Sequence, residues 1–248
     1  MWGIIPAAGQ GSRIQPLAFS KELLPVGSRW DGEVERPRAV SEYIIERMLL
    51  AGVDKLCVVI SPGKTDIVEY FGGSIGGATI TYLVQTQPLG LCDAIFRASS
   101  IIDLEEHVVI GLPDTIWFPR DALAWLPNNG LSFLLFPVEH PDLFDSVSID
   151  ERNRVKSIQV KSRNPASPWI WGAFKSPARI LRELREAWLA VSPRVQFVGD
   201  VVNRYLERGG LAIGIQAGSS YVDVGTVHGY HEAIRLLSGA SDCADGKH

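Results

Sequence analysis

The stretch WGIIPAAGQGSR, residues 2–13, runs an apolar strand (Trp2–Ala7) straight into a glycine-rich turn that ends on an arginine. Gly9 and Gly11 let backbone N–H groups close around an anion with no Cβ in the way. The Arg13 fork matches phosphate oxygens. The dinucleotide fingerprint GxGxxG is not met, because Ile14 stands where its third glycine belongs, and no GK[ST] follows to make a Walker loop. Outward from this turn, short apolar runs alternate with helical patterns. Ala39–Ala51 spaces Val40, Tyr43, Ile44, Arg47 and Met48 along one helix face and stops at Gly52. Lys55–Ser61 (KLCVVIS) is a β-branched run of the kind buried on both faces of a sheet. Helix over Lys64–Phe71, strand over Thr79–Val84, helix over Leu91–Ser99 and strand over His107–Leu112 continue the alternation, followed by a helix near Asp121–Leu126 and the strand Ser132–Val138. This pattern predicts βαβ units in a Rossmann-like α/β fold: a mixed, mostly parallel sheet with helices on both faces and the ligand at the strand C-termini.

The second half is less regular. Ser146–Ile149 and Arg154–Lys161 read as a hairpin and Trp169–Phe174 as a short strand. Helices are expected over Pro177–Val191 and Gly199–Arg208, strands over Leu211–Gln216 and Tyr221–Val224, and a last helix from Val227 to about Leu237. A single domain over residues 1–237 is expected, with the small polar segment 238–248 as a flexible tail.

The chain has 248 residues and a formal net charge of −4, with 46% apolar and 21% charged residues. These values fit a globular protein and exclude collagenous, coiled-coil and disordered classes. An acidic balance argues against a nucleic-acid partner, since phosphate neutralisation needs a basic surface. Cys57, Cys92 and Cys243 show no CxxC spacing, which gives neither a zinc site nor a disulfide framework and fits a reducing cytoplasm. The N-terminus lacks the basic region of a signal peptide, and no apolar stretch approaches the ~20 residues a membrane helix needs. A cytoplasmic protein with no membrane partner is expected, and the oligomeric state is left open.

Ile4–Val26, IIPAAGQGSRIQPLAFSKELLPV, resembles the opening signature of the sugar-1-phosphate nucleotidylyltransferases, roughly AAGxGTRLxP…PKxLLPV, and is most similar to the glucose-1-phosphate thymidylyltransferase branch. The resemblance runs over about residues 2–230. Tyr82–Ile95 (YLVQTQPLGLCDAI) resembles YxVQxxPxGLAxA, VIGLPDTI at 109–116 resembles a strand ending in LGDN, and YVDVGT at 221–226 resembles WxDxGT. RVKSIQVK at 154–161 resembles a strand ending in Glu-Lys-Pro, and WIWGAF at 169–174 the strand after it.

That resemblance implies the nucleotide-diphospho-sugar transferase fold, with a nucleotide-binding half over about 1–140 and a sugar-binding half over 141–237. It implies transfer of a nucleotidyl group from a triphosphate, dTTP or UTP favoured, to a sugar 1-phosphate. Ala8, Gly9, Gly11, Ser12 and Arg13 would hold the phosphates, with Lys21 between the phosphate groups. Gln85 and Gly90 would meet the base and ribose, and Asp114 the nucleotide. Mg²⁺ would sit on Asp114 and Asp223, a hard cation on two carboxylates and substrate phosphates. Lys161 would place the sugar phosphate, with Gly172 and Trp171 beside the sugar. Arg13, Lys21 and Lys161 are the expected catalytic residues.

Several positions depart from the pattern. Val160 and Ser162 replace the Glu and Pro of Glu-Lys-Pro, Asp145-Ser146 replaces a sugar-facing Tyr-Gly, and Cys92 replaces an Ala. With no acceptor at Val160, a modified sugar such as a deoxy, amino or heptose 1-phosphate, or a cyclitol phosphate, is expected in place of glucose 1-phosphate. Gly27–Arg38 is longer than the usual turn, so it reads as an inserted loop that lines the sugar site through Asp31, Glu33 or Glu35, or only as surface. Two rival classes are a non-catalytic nucleotide-sugar-binding paralogue, favoured by the altered sugar pocket, and an NAD-dependent oxidoreductase, disfavoured by the missing third glycine.

Overall fold

The computed structural model describes residues 1–191 and 195–244. Strands β1 (Trp2–Pro6), β2 (Pro25–Asp31) and β3 (Val34–Ala39) lead into helix α1 (Val40–Leu50). Then come β4 (Lys55–Ile60), α2 (Thr65–Phe71), β5 (Ser74–Ile75), β6 (Ala78–Val84), α3 (Leu91–Ala98), β7 (His107–Gly111), β8 (Thr115–Phe118) and β9 (Leu131–Pro137). The second half runs β10 (Asp145–Ile149), β11 (Val155–Val160), β12 (Trp169–Pro177), α4 (Ala178–Leu189), α5 (Val198–Glu207), β13 (Ala212–Ile215), β14 (Ser220–Asp223) and α6 (Val227–Ala244).

The central sheet is mixed, with order β11-β10-β12-β7-β1-β4-β6-β5 and β9 joining β12 to β13. Its core, β7-β1-β4-β6, is parallel. Antiparallel β12 then turns the sheet into its second half. Side-chain alternation along the buried strands splits the core in two. Ile4, Cys57, Val59, Val108 and Ile110 face α3, α4 and α5, whereas Ile5, Leu56, Val58, Ile60 and Val109 face α1 and α2. Each fully buried aliphatic side chain here contributes about 1.5–3 kcal/mol over exposure. The helices therefore cover both faces, as the alternation of the sequence implies.

A third cluster bears most on function. Ile14, Leu24, Val26, Val40, Tyr43, Ile116, Val222, Val224 and Ala233 pack beside the main sheet. They bring together the segment after the glycine-rich turn, β8, β14 and α6. β8 and β14 form a separate antiparallel ribbon that sets Asp223 opposite Thr115. Buried Arg47 donates to the Trp117 carbonyl through Nε at 3.0 Å, which fixes β8 to α1.

Four expectations are corrected. Gly27–Arg38 is not a loop but most of the β2–β3 hairpin, turned at Gly32-Glu33 and packed on α6. The segment near Asp121–Leu126 is a short 3₁₀ turn, Ala122–Trp125. Thr115–Phe118 is a strand the sequence reading lacks. The last helix passes Leu237 and runs to Ala244, so most of the expected tail is helical. Residues 245–248 of that tail lie outside the described residues.

Candidate active site

The loops after β1, β6 and β7 open on a cavity of about 490 Å³ at the C-terminal edge of the parallel strands. Ligands bind at this edge in open α/β sheets because loops diverge there. Ala8, Gly9, Arg13, Lys21, Gln85, Gly90, Asp114, Lys161, Trp171 and Asp223 all line it. Gly11, Ser12 and Gly172 do not.

The glycine-rich turn is shaped from beneath. Gly11 has φ +67°, and a Cβ on it would stand 2.8 Å from Cδ of Lys21. Any side chain there would be strained and would push on Lys21. The Gly11 carbonyl accepts from the N–H groups of Ile14 and Gln15, so it closes the turn instead of facing the cavity. Gly172 is also corrected. A Cβ on it would stand 2.6 Å from the Phe136 ring and 2.7 Å from Tyr221, so its lack of a side chain serves ring packing and gives a sugar no backbone access.

Lys21 is positioned by residues that sequence reasoning did not single out. Ser20 donates its backbone N–H and its Oγ to the Asp66 carboxylate at 2.6 and 2.7 Å. Next to Lys21, Glu22 is buried against Lys64, whose Nζ reaches both carboxylate oxygens and the Ala7 carbonyl, each at 2.7 Å. One ammonium thus ties β1 to the SKELLPV segment. Removing one member of such a buried pair is far costlier than removing both, because the other charge is stranded. The available signal was a lysine and an aspartate at the start of an otherwise ordinary helix, which is too common a pattern to read.

At the deep end, Lys21 Nζ donates to Asp114 Oδ2. Burial works against ionising Asp114, but the Lys21 ammonium beside it holds the carboxyl below the usual carboxylate range. Burial likewise opposes the charge on Lys21, and Asp114 outweighs it and raises the ammonium. The pair is ionised at neutral pH, and what it adds to stability is lost as pH falls through the depressed Asp114 value or rises through the raised Lys21 value. Arg13 Nη1 donates to Asp223 Oδ2 at 3.0 Å. The Val224 N–H donates to the Asp114 carbonyl at 2.8 Å and ties the two acidic loops together.

Gly225 is the wedge between these groups. The point where its Cβ would stand lies 2.8 Å from Asp223 Oδ1, 3.0 Å from Asp114 Oδ2 and 3.1 Å from Arg13 Nη2. Two carboxylates a sequence distance of 109 residues apart thereby converge on one spot. Among the described residues no three His, Cys, Asp or Glu side chains gather as a closed metal centre. A pair of carboxylates opening on a cavity suits Mg²⁺, which keeps waters and takes its remaining oxygens from substrate. Gly225→Ala is expected to push the carboxylates and Arg13 apart. It should lower turnover roughly 10²-fold, the usual cost of misplacing groups by about 1 Å, with thermal unfolding little changed. Turnover measured across a Mg²⁺ series checks it.

Further out, Gln85 is 4% exposed. Its Nε2 donates to the Gly90 carbonyl at 3.2 Å and to Asp93 Oδ2 at 2.7 Å. Both partners only accept, so the orientation of the amide is fixed and Oε1 is the group left for a ligand. Lys161, also on the cavity wall, has φ +41°, an uncommon conformation for a non-glycine residue. Its N–H donates to the Phe144 carbonyl at 3.2 Å, and its Nζ stands 5.3 Å from the centre of the Phe197 ring. Phe144, Gln196 and Phe197 also line the cavity, as does Asp145, which stands where the resemblance puts a sugar-facing Tyr-Gly. The β2–β3 hairpin supplies nothing to the wall, since neither it nor Asp31, Glu33 or Glu35 lines the cavity.

A cavity with clustered cations, two converging carboxylates and a fixed amide at the strand ends defines an α/β protein built to handle phosphorylated nucleotides. The chain belongs to the nucleotidyl transferase family, whose model matches residues 2–239. It is 29% identical over 249 aligned positions to a glucose-1-phosphate thymidylyltransferase of Neisseria meningitidis, covering 96% of this chain and 82% of that one. It is 27% identical to a glucose-1-phosphate thymidylyltransferase of Mycolicibacterium smegmatis over 91% of this chain and 78% of that one. In fold it matches the UTP-bound UGPase of Acinetobacter baumannii at a TM-score of 0.76 and 20% identity, covering 95% of this chain and 92% of that one. The nucleotide-diphospho-sugar transferase fold is thereby established. Among the described residues no helix is long and apolar enough to cross a membrane.

Proposed function

We propose that this chain transfers a nucleotidyl group from dTTP or UTP to a sugar 1-phosphate and releases pyrophosphate. One observation carries the reading: a single cavity is lined by the Arg13–Asp223 and Lys21–Asp114 pairs and by Lys161 with its uncommon backbone conformation. Three cations and two carboxylates around one cavity suit a triphosphate and a phosphate nucleophile meeting in line. A sugar-phosphate oxygen attacks the α-phosphorus, the new P–O bond forms, and the bond to the β-phosphate oxygen breaks. The nucleophile is already anionic, so no general base is required, and positioning with charge neutralisation supplies the rate.

Residues 1–140 contribute most of the nucleotide end and residues 141–237 the sugar end, with Asp223 crossing into the first. The amides of the Gly9 turn and Arg13 hold the β- and γ-phosphates. Opening the Arg13–Asp223 pair costs little, because such solvated pairs are weak. Asp114 and Asp223 hold Mg²⁺, which when bound neutralises charge developing on the phosphate oxygens. Lys21 stands between both phosphate groups, and Lys161 seats the incoming phosphate. A purely binding paralogue has no use for both carboxylates and all three cations converging on one cavity.

Gln85 sets the base. With its amide N–H groups engaged, it presents only an acceptor, which the N3–H of thymine or uracil can meet. Cytosine N3 is itself an acceptor and is repelled. Pyrophosphate release is therefore expected to be at least about tenfold faster in kcat/KM with dTTP or UTP than with CTP, ATP or GTP, a difference of roughly 1.4 kcal/mol. A panel of these triphosphates against several sugar 1-phosphates tests both the reaction and the base. No release with any combination would overturn the reading.

A further inference from the structure

We propose that Asp93, braced by Arg97, is the positioning residue that decides between uracil or thymine and cytosine, by holding the Gln85 amide in one of its two orientations. The inference rests on the transfer reading above and deepens it.

A glutamine amide can turn about its last side-chain bond and exchange its carbonyl for its amine with little change of shape. With the carbonyl outward, Gln85 meets a donor such as the N3–H of uracil or thymine. With the amine outward, it meets an acceptor such as N3 of cytosine. The choice of base therefore reduces to what holds the amide from behind.

Two acceptors hold it, the Gly90 carbonyl at 3.2 Å and Asp93 Oδ2 at 2.7 Å. The Asp93 bond is the shorter, and its charge makes it the stronger of the two. Asp93 is 7% exposed, and neither it nor Arg97 lines the cavity. Asp93 thus acts on a ligand only through Gln85. In the turned orientation Gln85 Oε1 would stand against the Asp93 carboxylate, two buried acceptors with no proton between them. Such a contact is costly where water cannot relieve it.

Arg97 makes the arrangement one-sided. It lies one turn further along α3, four residues on, where side chains of a helix meet. Its Nε donates to the same oxygen that Gln85 uses, Asp93 Oδ2, at 2.6 Å, and its Nη2 reaches Oδ1 at 3.4 Å. Oδ2 therefore takes two donors at once, and no donating group can stand in its place. Position 93 is also an unspecified place in the pattern YxVQxxPxGLAxA. The resemblance supplies Gln85 and Gly90, whereas the residue that orients the amide is this chain's own.

The test uses the full chain and reads kcat/KM for UTP, dTTP and CTP by pyrophosphate release, with thermal unfolding of every variant. The unaltered protein should favour UTP over CTP at least about tenfold. Asp93→Ala leaves Gln85 on one weak tether, so that ratio should fall to about threefold or less, with CTP itself used faster than before. A merely structural role would slow all three triphosphates together and leave the ratio alone. Asp93→Asn should keep the ratio, because Arg97 Nε draws the amide oxygen into the Oδ2 place, where it still accepts from Gln85. With Gln85→Ala already present, Asp93→Ala should change the ratio no further. Asp93→Ala combined with Arg97→Ala removes both charges together and reads the same ratio should the single variant fail to fold. No preference in the unaltered protein, a ratio that survives the loss of Asp93, an Asn variant that loses it as fully as the Ala variant, or an effect of Asp93→Ala that persists without Gln85 overturns the inference and leaves the transfer reading standing. Pyrophosphate release from no triphosphate with any sugar 1-phosphate overturns both.

Discussion

Asp223→Asn is expected to lower turnover by about 10³-fold, roughly 4 kcal/mol of transition-state stabilisation, while the protein stays folded. Asparagine is nearly isosteric, and its carbonyl can still accept the Gly225 N–H that now meets Asp223 Oδ1 at 2.8 Å. What it removes is charge, from the spot where Asp114, Asp223 and Arg13 converge. The dependence of rate on Mg²⁺ should weaken in parallel. Asp223 is the better probe of the two carboxylates. Asparagine at Asp114 would strand the Lys21 ammonium beneath it, and breaking a buried pair costs about 3–5 kcal/mol of folding stability. Turnover of Asp223→Asn near that of the unaltered chain, with normal Mg²⁺ dependence, would remove the carboxylate from the reaction.

Arg13→Ala is expected to lower kcat/KM for the triphosphate by roughly 2–4 kcal/mol, about 30- to 1000-fold, as one charge-assisted contact to phosphate is lost. KM for the sugar phosphate should hold, because Lys161, not Arg13, is the residue proposed to seat it. Stability should barely move: the Arg13 side chain is 61% exposed, and its pair with Asp223 is solvated. Steady-state kinetics with each substrate varied in turn, alongside thermal unfolding, separates these effects. Unchanged triphosphate kinetics would reduce AAGQGSR to a turn.

Much of this site is legible in the chain because its chemistry is local. AAGQGSR needs only its own glycines and arginine to read as an anion loop, and the parallel core follows from alternating apolar runs. The meeting of Asp114 with Asp223 rests on resemblance, since nothing local in LPDT or VDVGT says where the other lies. The device that joins them, the β8–β14 ribbon, is four residues a side. Such short strands carry little periodicity. The β2–β3 hairpin eludes the pattern for another reason. Its strands carry Arg29, Glu35, Arg36 and Arg38, with most positions exposed, so no apolar alternation marks them. Gly32, at the first place of its two-residue turn with φ +65°, is the signal that was there to read. Asp145 goes unread for a third reason: only the β10–β11 register sets it opposite Val160.

On the proposed reading, the β8–β14 ribbon also sets a point in synthesis before which the site is incomplete. A growing chain that has emerged as far as residue 219 already carries the anion turn, Lys21, Gln85, Asp114 and Lys161. At that point Asp114 has Lys21 but neither Asp223 nor the Val224 N–H that braces its loop. Nor can the third core cluster close, because Val222, Val224 and Ala233 follow residue 219. On the proposed reading, a chain truncated before β14 would hold most of the recognisable motifs and still lack the carboxylate pair.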